Sequence, residues 1–123
     1  MKILFTHSSS FDYQKELYNP IKESALYKDH KIVLPLQDLG YEGMNKDFLR
    51  SCDLLIAEVS YPSTGQGIEL GWADALNIPV ICFYRRGEKP SHSLKKMTDT
   101  MMEYKNPDDL IVKLEQILGE NES

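Results

Sequence analysis

The stretch Pro62-Ser63-Thr64-Gly65-Gln66-Gly67-Ile68-Glu69 gathers hydroxyls, glycines and a carboxylate in one short segment. Hydroxyls and closely approachable backbone N–H groups just ahead of a helix suit an anion. Glu69 falls in the first turn of a helix predicted over residues 66–76, and a helix N-terminus favours the ionised carboxylate. An ionised carboxylate can attack an anomeric carbon, giving a covalent glycosyl-enzyme that water or another acceptor resolves. On spacing alone a simpler reading is preferred: Glu69 complements the helix dipole, and a Gly-rich turn before a helix is common. A second polar stretch, Thr6-His7-Ser8-Ser9-Ser10, follows the first apolar run. Its serines read as a phosphate cradle or as a plain polar turn, and their place after a strand favours the cradle. His7 reads equally as a general acid or phosphate contact and as a loop histidine with no role.

These residues need a frame, and the chain supplies one. Short apolar runs at residues 3–5, 31–36, 54–59 and 79–84 do not alternate strictly, as expected of strands buried on both faces of a parallel sheet. Between them lie stretches with helical spacing at 13–27, 45–52 and 66–76, and a last one at 107–118 that opens on Pro107-Asp108-Asp109 and closes at Gly119. Pro20 must start, kink or split the first of these. Strands alternating with helices predict a flavodoxin- or Rossmann-like doubly wound α/β sheet of four to five parallel strands with flanking helices. In such sheets ligands bind beyond the carboxyl ends of the strands, where the strand order reverses. With an order of 2-1-3-4-5, the loops after the first and third strands share that crevice. Those are the two hydroxyl-rich stretches.

A longer run outweighs the simpler reading of Glu69. Asp53-Leu-Leu-Ile-Ala-Glu-Val-Ser-Tyr-Pro-Ser-Thr-Gly-Gln-Gly-Ile-Glu-Leu-Gly-Trp-Ala73 resembles the nucleoside 2-deoxyribosyltransferase superfamily. It is most similar to the branch that hydrolyses deoxynucleoside 5′-monophosphates. The resemblance continues through Pro79-Val-Ile-Cys-Phe-Tyr-Arg85 to Ser93-Leu-Lys-Lys-Met97, strong over the central third of the chain and carried by fold pattern at the flanks.

The resemblance implies roles residue by residue. Glu69 matches the family's nucleophile. Ser63 matches a serine that contacts the substrate 5′-phosphate. Ser93 matches another, which in the family reaches the site from the neighbouring subunit of a homodimer. Gly65 and Gly67 match the loop that lets backbone approach the phosphate. His7, Ser8 and Ser9 read as substrate-binding from their place after the first strand, not from the resemblance. Some positions depart. Where the family places a proton-donating Asp, this chain has Asn45, and an amide cannot donate as a carboxylic acid can. Asp47 could serve if its short helix is shifted, and otherwise Glu58 at the strand end. Leu4 stands where the branch has a tyrosine, and the first turn lacks the branch's arginine.

Composition bounds the alternatives. A chain of 123 residues makes one domain, here 1–119 with a frayed acidic tail at 120–123. A net charge of −5 with only short basic pairs, Arg85-Arg86 and Lys95-Lys96, argues against a nucleic-acid partner. No apolar run approaches the roughly 20 residues that span a bilayer. Cys52 and Cys82 read as core thiols in a reducing, cytoplasmic setting. The histidines and cysteines show no metal-ligand spacing, so neither a metal nor another cofactor is expected. No Gly-x-Ser-x-Gly elbow or Walker-type loop is present, which disfavours a serine hydrolase or a nucleoside triphosphatase.

The expectation is an N-glycosidase of 2′-deoxynucleoside 5′-monophosphates, with a base-exchanging deoxyribosyltransferase as the near alternative. A non-catalytic nucleotide-binding or sensing module is the rival from another class, supported by Asn45 and the missing tyrosine.

Overall fold

A computed structural model describes residues 1–40 and 44–122. Five parallel strands form one sheet in the order β2-β1-β3-β4-β5. The strands are β1 (Lys2–His7), β2 (Lys31–Val33), β3 (Leu54–Glu58), β4 (Val80–Arg85) and β5 (Met101–Tyr104). The order reverses between β1 and β3, which pair in register from Ile3–Leu54 to His7–Glu58. The crevice expected at a topological switch point therefore opens above His7 and Glu58.

Side-chain alternation along each strand sorts the core into two layers. Ile3, Phe5, Leu54, Ile56 and Phe83 face one side and pack with Leu17, Tyr18 and Ile21 and with Leu110, Leu114 and Leu118. Leu4, Leu55, Ala57, Val59 and Cys82 face the other side and pack with Leu49, Leu70 and Ala73. Cover on both faces accounts for the unbroken apolar runs. Cys52 and Cys82 are free, buried thiols of this second layer, as their apolar surroundings in the sequence imply. Burial pushes the Cys82 thiol up to about 12.

The helices differ from their sequence patterns where proline and capping intervene. The segment 13–27 is a π-helical stretch (Gln14–Tyr18) running into α1 (Asn19–Glu23), which breaks at the extended Ser24 before α2 (Leu26–Asp29). Pro20 sits in the first turn of α1, a position that tolerates its missing N–H. The run at 31–36 is divided: β2 ends at Val33, and Pro35 opens the one-turn α3 (Pro35–Asp38). Then come α4 (Lys46–Arg50), α5 (Thr64–Ala75) and α6 (Pro107–Glu122). α6 passes through Gly119 to Glu122, so the helix does not stop at the glycine. β5 carries a sequence, Met-Met-Glu-Tyr, too short to register as an apolar run.

Leu114 lies fully buried on α6 against the first core layer. Leu114→Ala is expected to destabilise the fold by about 2–5 kcal/mol, read as a lower urea midpoint with little change in slope.

Candidate functional site

Helix α5 organises the site. Ser63 has an extended backbone and caps it, its hydroxyl accepting from the Gln66 N–H at 3.4 Å and its carbonyl from the Gly67 N–H at 3.0 Å. The helix thus begins at Thr64, two residues earlier than the periodicity indicates. Gln66, Leu70 and Ala73 form its buried face, at the i, i+4, i+7 spacing of a helix lying on a sheet. Gly65 and Gly67 are helical residues of the first turn, not loop residues. A side-chain carbon at either would meet nothing within 4 Å. Packing therefore does not require these glycines, although each costs about 1 kcal/mol in a helix relative to alanine. Of the first-turn amides, those of Gln66 and Gly67 are taken by Ser63.

Glu69 projects from α5 toward the end of β1, where the Thr6 hydroxyl donates to its Oε1 at 2.6 Å. Thr6 shares the face of Leu4 by strand alternation and is itself buried. Partial burial raises the Glu69 pKa, and the Thr6 hydrogen bond opposes that shift. The carboxylate thus has one oxygen held and the other free toward a cleft of about 330 Å³. Thr6, His7, Ser9, Ser63, Gln66 and Trp72 are among the residues that line the cleft with Glu69. That volume is in the range of a small-ligand site.

The other expected residues divide. His7 lines the cleft, but both ring nitrogens are engaged: Nδ1 lies 2.8 Å from the Ser8 carbonyl and Nε2 2.7 Å from the Tyr18 hydroxyl. A carbonyl only accepts, so Nδ1 carries the proton and Nε2 accepts from Tyr18. Burial lowers the His7 pKa, and the bond to Ser8 only partly offsets it. His7 is a wall residue of the cleft with both ring nitrogens hydrogen-bonded. Ser9 reaches the cleft, whereas the buried Ser8 hydroxyl bonds within the turn to the Ser10 hydroxyl and N–H.

The structure brings neither Asn45 nor Asp47 to Glu69. Asn45 is an exposed helix cap, its Oδ1 accepting from the Phe48 N–H at 2.9 Å. The Asp47 side chain is 90% exposed and pairs with Arg50 at 2.6 Å. Neither lines the cleft. Glu58 is also unsuited to donate a proton there. Alternation along β3 turns its side chain to the layer of Leu54 and Ile56, opposite the face that carries Thr6 and Glu69.

Ser93 sits in a short 3-10 turn (His92–Lys96) and lines a different cleft, of about 510 Å³, on the other flank of α5. Ser63 and Gln66 line both clefts. Within one chain, Ser93 and Glu69 are therefore on opposite sides of the helix start. Thr6, Gln66 and Trp72 line the Glu69 cleft although the motif assigns them no part in it. Thr6 was legible in principle, since strand alternation puts the last inward residue of β1 against the helix after β3.

Sheet order and switch-point cleft define a doubly wound α/β domain. Comparison with known proteins narrows that class. Over 58 residues, 46% of this chain, it is 40% identical to a Syntrophotalea carbinolica protein named for 2′-deoxynucleoside 5′-phosphate N-hydrolase activity. Over 66 residues it is 36% identical to the 5-hydroxymethyl-dUMP N-hydrolase of Rattus norvegicus. The matches span 41% and 40% of those relatives' own lengths. The Clostridium botulinum CMP N-glycosidase superposes with a TM-score of 0.68 over 94% of this chain and 99% of its own, at 22% identity, a likeness of fold. No family model matches the chain. The resemblance to the nucleoside 2-deoxyribosyltransferase superfamily, nearest its monophosphate N-hydrolase branch, is borne out.

Because the folded-state pKa of Glu69 is raised, its ionised form costs stability above the unfolded-state value, and that cost vanishes at lower pH. Glu69→Gln, which still accepts from Thr6, is expected to melt higher than the parent near neutral pH. The advantage should close as the pH falls below the ordinary glutamate range, as read from melting curves across pH.

Proposed function

We propose that this chain cleaves the base–sugar bond of 2′-deoxynucleoside 5′-monophosphates through a covalent intermediate on Glu69. The observation that carries the proposal is the Glu69 carboxylate, anchored on one oxygen by Thr6 and presented by the other to a switch-point cleft. The matched relatives are named for hydrolysis of deoxynucleotide N-glycosidic bonds, which supports the bond class and the phosphate.

The proposed reaction runs in two steps. The free carboxylate oxygen attacks C1′, the C1′–N bond breaks, and the base leaves with the bonding electron pair and takes up a proton. Water then attacks C1′ of the glycosyl ester and gives up its proton, releasing 2-deoxyribose 5-phosphate and restoring the carboxylate. Burial raises the Glu69 pKa and leaves the anion under-solvated, which favours its attack. Among the described lining residues Glu69 is the one carboxyl, so no second carboxylic acid of that set protonates the leaving base. Ser63 and the start of α5 receive the 5′-phosphate, with Ser9 on the facing loop.

The chain acts as a homodimer in which Ser93 of one protomer completes the other's phosphate site. This reading is supported by Ser93 lying across α5 from Glu69 in its own chain. Two free, buried thiols fit a reducing cytoplasm. Among the described residues no helix is long and apolar enough to cross a membrane.

The test is a panel of deoxynucleoside and ribonucleoside monophosphates and free nucleosides, with and without a second free base, analysed for released base. Release from deoxynucleotides, reduced on the order of 10³-fold or more by Glu69→Ala, is expected. A new nucleoside would indicate base transfer. Intact substrates that still raise the melting temperature would indicate a sensing module. For the dimer, Glu69→Ala and Ser93→Ala chains, each impaired alone, should regain activity when mixed and exchanged. No gain in a demonstrably mixed dimer would place Ser93 outside the site.

A further inference from the structure

The buried Glu58 carboxylate takes no part in the chemistry above, yet it is heavily bonded and sits at the switch point. It is 3% exposed, at the end of β3. Its Oε1 accepts from the Ser60 N–H at 2.7 Å, and its Oε2 from the Ser60 hydroxyl at 2.8 Å and from the Tyr104 hydroxyl of β5. The Ser60 hydroxyl in turn accepts from the Arg85 N–H of β4 at 2.8 Å. The main-chain carbonyl of Glu58 accepts from Gln66 Nε2 at 2.9 Å, inside the first turn of α5. Burial raises the Glu58 pKa, while Tyr104, Ser60 and the nearby Arg85 pull it back.

The segment that launches α5 is therefore clamped at both ends by one residue. The carboxylate fixes Ser60, and the carbonyl fixes Gln66. Between them lie Tyr61, Pro62 and the capping Ser63, which borders both clefts. Glu69 has separate anchors: Thr6, and Leu70 and Ala73 in the second core layer. A carboxylate suits this clamp because its two oxygens accept all three donors at once. An apolar residue of similar size would leave those donors buried and unpaired.

We propose that Glu58 is a positioning residue, setting the Ser63 hydroxyl and the first amides of α5 for a phosphate monoester without touching the substrate. The inference rests on the reading of Ser63 as a phosphate contact. It adds that phosphate affinity is set from behind the sheet by Glu58, Ser60 and Tyr104.

The test separates binding from turnover. In a Glu69→Gln background, which cannot form the glycosyl ester, the dissociation constants of inorganic phosphate and a deoxynucleoside monophosphate are measured with and without Glu58→Gln. Loss of one charged acceptor in the clamp is expected to weaken both by about tenfold or more. Tyr104→Phe, which keeps the carboxylate and both Ser60 bonds, should weaken both by a smaller factor and serves if Glu58→Gln fails to fold. In the active background, Glu58→Gln should raise KM for the monophosphate by the same factor while kcat changes by less than about threefold. Unchanged phosphate affinity in both variants, or a fall in kcat at constant KM, would overturn the proposal. A protein that releases no base from any nucleotide would defeat the catalytic reading, yet the binding measurements would still decide the role of Glu58.

Discussion

The contact between the Thr6 hydroxyl and Glu69 is the interaction on which the site depends. A carboxylate drawn out of water loses solvation that a single hydroxyl only partly replaces, and its pKa rises accordingly. Glu69 is the sixth residue of α5 and lies beyond its first turn, not within it as the sequence pattern indicates, so the helix dipole does not account for its state. The contact needs β1 and α5 brought together at the carboxyl end of the sheet, and the sheet order does this by placing β1 beside β3. The α/β topology is thus the means by which residues 63 positions apart in the chain share one hydrogen bond.

The two faces of the sheet divide the work. On the α5 face, Glu69 is partly buried, with one oxygen bonded by Thr6 and the other facing a cleft. On the opposite face, Glu58 has both oxygens hydrogen-bonded, by Ser60 and Tyr104, and is sealed from solvent. Glu58 and Glu69 share a raised pKa and differ in what they can do, because one keeps an oxygen free and the other does not. Hydrogen-bond saturation, and not burial alone, separates the two carboxyls.

Much of this was legible in the residues. Apolar runs without alternation correctly imply a doubly covered parallel sheet, and the expected order 2-1-3-4-5 is the one observed. Local chemistry misleads where a single residue outweighs a pattern. Pro35 follows the end of the strand at Val33 and opens a helix turn, and Gly119 fails to stop α6. β5 escapes notice because four residues, with Glu103 among them, carry too little periodicity. In the site, the motif locates Glu69 and Ser63, which lie on one helix start. It cannot locate Thr6, whose role comes from strand pairing, nor show that Asn45 and Asp47 face solvent as a cap and a surface ion pair.

The central claim is that Glu69 forms a bond to the sugar. The most direct measurement is the mass of the protein quenched during turnover of a deoxynucleoside monophosphate, followed by mapping of the modified peptide. A 2-deoxyribose 5-phosphate adduct is expected on the peptide that contains Glu69, absent in Glu69→Ala. Steady release of base with no adduct at any quench time, and comparable release by Glu69→Ala, would contradict the claim.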